Sequence, residues 1–124
     1  YYATCPKLTG AISTLESSGS MGQMNERLQN DNDLAGRYKA AHLDYEAARS
    51  ALAKQENINV PELAGVTAGG MPDRVKCLHS LIAHSLAAGF DVNPLGDEAL
   101  IALDNWWLTK PCSEISNLLD GQSN

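Results

Sequence analysis

From Leu34 to Gln55 apolar side chains recur every three or four positions, at Leu34, Tyr38, Ala41, Tyr45, Ala48 and Leu52, while Lys39, Asp44, Glu46 and Lys54 fall on the opposite face. Successive residues of an α-helix advance by about 100°, so this spacing builds one continuous apolar stripe. A strand cannot collect the same set on one side, because its side chains alternate between two faces. A stripe of that length has to be covered by other elements, and the rest of the chain supplies helices for the purpose.

Pro6 suits the first turn of a helix, with Thr4 or Cys5 ahead of it as cap, and Leu8, Ala11, Ile12 and Leu15 follow at helical spacing up to Ser17-Ser18-Gly19. Ser20 is placed to cap a second, short helix bearing Met21, Met24 and Leu28, which Asp31-Asn32-Asp33 ends. Residues 56–72 hold two prolines and three glycines with little periodicity, as expected of a long loop or hinge. A further helix is predicted over 73–88, opened by Pro72-Asp73 and closed by Gly89, and it is expected to pack against the long helix. The run from Asp91 to Gly96 reads as turn chemistry. Asp97 then starts a helix through Trp107, and Ser113 caps a last short one.

The predicted fold is therefore an all-α bundle of five to six helices, a single domain over residues 1–124 with a short extended segment at 1–4. The dominance of Ala and Leu over Val, Ile and Phe agrees with that class. Tyr1-Tyr2-Ala3-Thr4 reads like the middle of a strand whose upstream part belongs to a longer protein.

Charge narrows the partners. The net charge is −6, and beyond Cys77 there are six acids against one base, Lys110. Non-specific nucleic-acid binding needs the opposite sign, so neither DNA nor an anionic membrane surface is an expected partner. No apolar run approaches the length of a membrane span. Three cysteines at long spacings, Cys5, Cys77 and Cys112, fit reduced thiols in a cytoplasmic protein better than a disulfide framework.

Candidate chemistry concentrates between Asp73 and His84, where Cys77, His79 and His84 lie among Leu78, Leu81 and Ile82. Thiolate and imidazole are zinc ligands, so a site drawn from Cys5, Cys77, His79 and His84 is one expectation. On a continuous helix these spacings are poor: Cys77 and His84 are two turns apart, about 10.5 Å along the axis, and no pair stands at i, i+4. The plainer alternative is a small buried cysteine with hydrogen-bonded histidines. A second constellation, His42, Tyr45 and Arg49, stacks along the long helix and with Lys76 forms a candidate set for a small anionic ligand. Its plainer alternative is aromatic packing with polar tips at the surface. Gly69-Gly70 lacks the spacing of a phosphate-binding loop. Trp106 and Trp107 differ by about 100° around their helix, which leaves one indole for a partner surface. Paired glycosidase-type carboxylates, a nucleophilic serine motif and Cys-x-x-Cys are all absent, so the sequence assigns no reaction.

Thr4-Cys5-Pro6, Ala41-His42-x-x-Tyr45-x-x-x-Arg49, Val75-Lys76-Cys77-Leu78-His79 with Ala83-His84, and Asn93-Pro94-Leu95-Gly96 together resemble a bacterial family, common in actinobacteria, classed only as a domain of unknown function. The resemblance implies an additional N-terminal segment ahead of Thr4 and, at Leu81, a position where some relatives carry a further histidine. It carries over no biochemical activity. Genes of the family often lie near those for enolase, a septum-formation protein and an exopolyphosphatase. That association implies, as the alternative to a metal or anion site, a non-catalytic protein-interaction module linked to envelope growth or division.

Overall fold

The computed structural model describes residues 1–63 and 70–103, and among these it contains five α-helices and one two-stranded hairpin. The all-α class is thus correct, and the predicted elements around Trp106, Trp107 and Cys112 lie outside the described residues.

Helix α1 spans Pro6–Ser17 and buries Leu8 and Ile12, with Pro6 in its first turn and Cys5 in the extended N-cap position. Gly19 then takes a left-handed conformation (φ 86°) that a side chain would resist, and α2, Ser20–Asn30, follows with Met24 and Leu28 buried. Asp31 serves two helices. Its N–H bonds the Arg27 carbonyl at 2.9 Å to end α2, and its Oδ1 accepts from the Leu34 N–H at 3.0 Å to start α3, Asn32–Gln55. The stripe of α3 is buried only along its first half, at Leu34, Tyr38, Ala41 and His42; Tyr45 and Ala48 are half-buried and Leu52 is 59% exposed.

A 3₁₀ turn at Pro61–Leu63 precedes a small antiparallel hairpin, β1 (Gly70–Met71) and β2 (Arg74–Val75). Hairpins this short do not stand alone. Asn25 of α2 holds this one with a paired contact, accepting from the Val75 N–H at 2.7 Å and donating to the Val75 carbonyl at 3.1 Å, while the Tyr38 hydroxyl donates to the Arg74 carbonyl at 3.2 Å. Burial, reinforced by Asp73, raises the Tyr38 phenol far above its ordinary pKa and so keeps it a donor.

These contacts correct a predicted boundary. Residues 74 and 75 are strand, and α4 runs Leu78–Ala88 with Cys77 as its extended N-cap, not from Asp73. α4 is the central helix, buried at Leu78, Leu81, Ile82, Ala83, His84 and Ser85. A second correction concerns α5, Pro94–Ala102, which begins three residues before Asp97. Asn93 caps it, accepting from the Gly96 N–H at 2.9 Å, Pro94 occupies its first turn, and Gly96 lets its backbone lie directly on α4. A Cβ at Gly96 would overlap the Leu81 carbonyl oxygen and the Ser85 hydroxyl. The Asn-Pro-Leu-Gly run is therefore a helix start and a close crossing.

α3 and α4 do touch, as expected, through His84, whose ring lies beside Asp44 and Tyr45, but α4 packs most closely on α5 and next on α1. Residues 1–5 form no strand.

Candidate functional site

Because Cys77 is extended (φ −151°, ψ 117°) rather than helical, Cys77 and His79 are not bound by helical spacing. They converge with an acid the sequence reading missed, Glu16 in the last turn of α1: one ligand atom each from Glu16, Cys77 and His79 lie within 4.8 Å of one another. Glu16 Oε1 accepts from the Leu78 N–H at 2.8 Å and lies 3.1 Å from His79 Nδ1. A carboxylate thus supplies, from another helix, the cap that Cys77 does not give α4, and its charge faces the positive end of the α4 dipole. The Ser80 hydroxyl donates to the Cys77 sulfur at 3.8 Å. All three side chains are half-buried, open enough for an ion to enter. Cys77 is free and only half-buried, unlike the small buried cysteine of the plainer alternative.

The other two expected ligands are elsewhere. Cys5 is disulfide-bonded. That removes Cys5 from any ligand set and corrects the expectation that all the thiols are reduced. His84 lies in a separate, buried network. Its Nε2 is 2.8 Å from Asp44 Oδ2 and its Nδ1 3.3 Å from Asn93 Nδ2, with the ring 2% exposed.

The anion-binding set does not converge either. His42 is 3% exposed, packed edge-on against Tyr38, and neither ring nitrogen has a hydrogen-bond partner. Burial, with His84 close by, holds its imidazole down at about 4 from an ordinary 6.5, although Asp73 pulls the other way. It faces a packing gap shared with Tyr45, Leu81, His84 and Asn93 that is too narrow for a water molecule. Tyr45 and Arg49 instead line a cleft of about 130 Å³ with Tyr1, Ala48 and Leu52, the guanidinium 6.0 Å from the Tyr45 ring centre. Lys76, exposed on the approach to Cys77, lines neither space.

The residues that sequence reasoning missed are Glu16, Asp44 and Asn93. Glu16 did leave a signal: an acid in the last turn of α1 opposes that helix's own dipole, so its benefit has to lie in a contact elsewhere.

No helix among the described residues is long and apolar enough to cross a membrane. No curated protein and no solved structure matches the chain. A family model does match, over residues 1–101, and the chain belongs to that family, described as "Protein of unknown function (DUF501)".

Proposed function

We propose that this protein binds a divalent transition-metal ion, zinc first, through Glu16, Cys77 and His79. The observation that carries the reading is the mutual approach of the three ligand atoms within 4.8 Å. Bonds of about 2.3 Å to sulfur and 2.0–2.1 Å to nitrogen and oxygen give a tetrahedron with edges of about 3.5 Å. The three groups reach that size by small side-chain adjustments, and the Glu16–His79 pair is already at 3.1 Å. A thiolate, an imidazole and a carboxylate together suit zinc better than magnesium or calcium, which prefer oxygen alone.

An ion held this way ties the end of α1 to the start of α4 and leaves a fourth position open for water or an outside ligand. Its uptake releases the thiol proton, so affinity rises with pH. The anionic-ligand reading has weaker support, since His42, Tyr45, Arg49 and Lys76 share no common space.

The test is elemental analysis of protein prepared without a histidine tag, after equilibration with zinc and removal of the free ion. An equimolar zinc content that falls to a trace in Cys77→Ser and His79→Gln, but persists in Lys76→Ala, is expected. A trace in the unmodified protein, with thermal unfolding unchanged by zinc or a chelator, overturns the proposal.

A further inference from the structure

The buried network around His84 has one strictly directional member. Asn93 Oδ1 accepts the Gly96 N–H, which fixes the amide's orientation and turns its Nδ2, a donor only, toward His84 Nδ1. His84 Nδ1 therefore presents its lone pair, and the ring proton sits on Nε2, donated to Asp44 Oδ2. Should Nδ1 take up a proton, two donors would face each other across 3.3 Å in a setting where the ring is 2% exposed. The amide relieves that conflict by turning over, but its oxygen then leaves the Gly96 N–H. One oxygen cannot serve both ends in either orientation.

We infer that His84 and Asn93 form a pH-responsive latch: protonation of His84 at Nδ1 turns the Asn93 amide over and withdraws the cap from the start of α5. The inference stands apart from the metal reading and shares no residue with it. Its consequence falls where α5 crosses α4 most closely, because Gly96 is both the residue that loses its bond and the one lying on Leu81 and Ser85.

The charged and titratable groups around the latch come from three elements. From α3, Asp44 holds the ring at Nε2, on the side away from Asn93, and His42 lies close enough for the charge of His84 to oppose its own. Tyr45 meets the ring edge-on and Tyr1 stacks on it, with the Tyr1 amino group donating to the Tyr45 hydroxyl at 3.4 Å. Asp73, in the hairpin, acts on His42. On α5, Asp97 accepts from the Asp91 N–H at 2.8 Å, which holds the preceding left-handed turn (Asp91 φ 73°), and Glu98 is paired with Arg27 of α2. Protonation at Nδ1 thus releases the cap, and loss of that proton restores it.

The test is an acid titration of the full chain followed by nuclear magnetic resonance of the imidazole nitrogens and of the Gly96 amide. At neutral pH His84 is expected as the Nε2–H tautomer. On acidification the Gly96 amide should move to the position of an unbonded N–H, and exchange faster with solvent, at the same midpoint as His84. In Asn93→Asp one carboxylate oxygen holds Gly96 while the other accepts from Nδ1–H, so the His84 midpoint should move up and the Gly96 amide should stop following it. His42→Phe should leave the coupling in place, which assigns it to His84. An Nδ1–H tautomer, a Gly96 midpoint different from that of His84, or unfolding of the whole chain before His84 titrates would each overturn the latch. If Asn93→Asp does not fold, the two midpoints in the unmodified chain decide the matter.

Discussion

Replacing Gly96 by Ala and Gly36 by Ala changes the same atoms in two helices, and the structure gives the two changes opposite signs. At Gly36 in α3 nothing lies within 4 Å of the added methyl. The substitution then only removes glycine's excess unfolded-state freedom and stabilises by about 0.5–1 kcal/mol. At Gly96 the same methyl meets the Leu81 carbonyl oxygen and the Ser85 hydroxyl. Ser85 can rotate, but the Leu81 carbonyl belongs to the middle of α4, so α5 has to move outward. Overpacking of this kind costs about 1–3 kcal/mol. The displacement also strains the Asn93 cap, itself worth about 1 kcal/mol. A net loss of about 2–3 kcal/mol is expected, roughly 10 °C in melting temperature for a chain of this size. Urea denaturation of both variants beside the unmodified protein measures it. Two shifts of the same sign, or a Gly96→Ala loss below about 0.5 kcal/mol, would refute the close α4–α5 crossing.

Three further changes probe the core and the site. His42 binds its proton less well folded than unfolded, so the unfolded chain gains protons first and stability falls as pH drops from 6.5 to about 4, by at most about 3 kcal/mol, with no contribution above that window; His42→Phe should flatten that slope and, by removing two unpaired buried nitrogens, raise stability at pH 7 by about 1–2 kcal/mol, and an unchanged slope in denaturation curves across pH argues against it. Glu16→Ala should cost the metal-free protein about 1 kcal/mol through loss of the α4 cap; amide exchange at Leu78 should quicken, and unchanged exchange there contradicts the assignment. Asn25→Ala removes both bonds to the Val75 backbone and should cost about 2 kcal/mol by thermal denaturation, at about 1 kcal/mol per bond; a loss near zero would mean the hairpin is held by other contacts.

The elements legible in the sequence were those that local chemistry decides. Pro6 with its apolar spacing located α1, and Asp31 with the Leu34–Tyr38–Ala41 stripe located α3. The start of α4 was misplaced because Pro72-Asp73 has the form of a helix opening, whereas the backbone of Arg74 and Val75 is recruited into a strand by Tyr38 and Asn25, 36 and 50 positions away. That error had a consequence for the site. With Cys77 and His79 placed on one helix their spacing argued against a shared ion, yet the extended N-cap brings them together and Glu16 completes the group from 63 positions away. Asp44 was hidden for a different reason. It lies on the polar face of α3, where nothing local distinguishes a solvated carboxylate from one that reaches back to a buried histidine. Asn93 fitted a turn and a helix cap equally well by residue type alone, and only the second role explains its contact with His84.

Cobalt substitution addresses the metal site most directly, because the spectrum reports the ligands themselves. Co(II) added to metal-free protein should give a near-ultraviolet band for charge transfer from thiolate to cobalt and intense visible bands of a four-coordinate ion, both saturating at one equivalent and lost on adding zinc. Cys77→Ser should abolish the charge-transfer band, and His79→Gln should weaken the visible bands. A spectrum indistinguishable from free aqueous cobalt, or a charge-transfer band that survives in Cys77→Ser, would contradict a metal ion held by Glu16, Cys77 and His79.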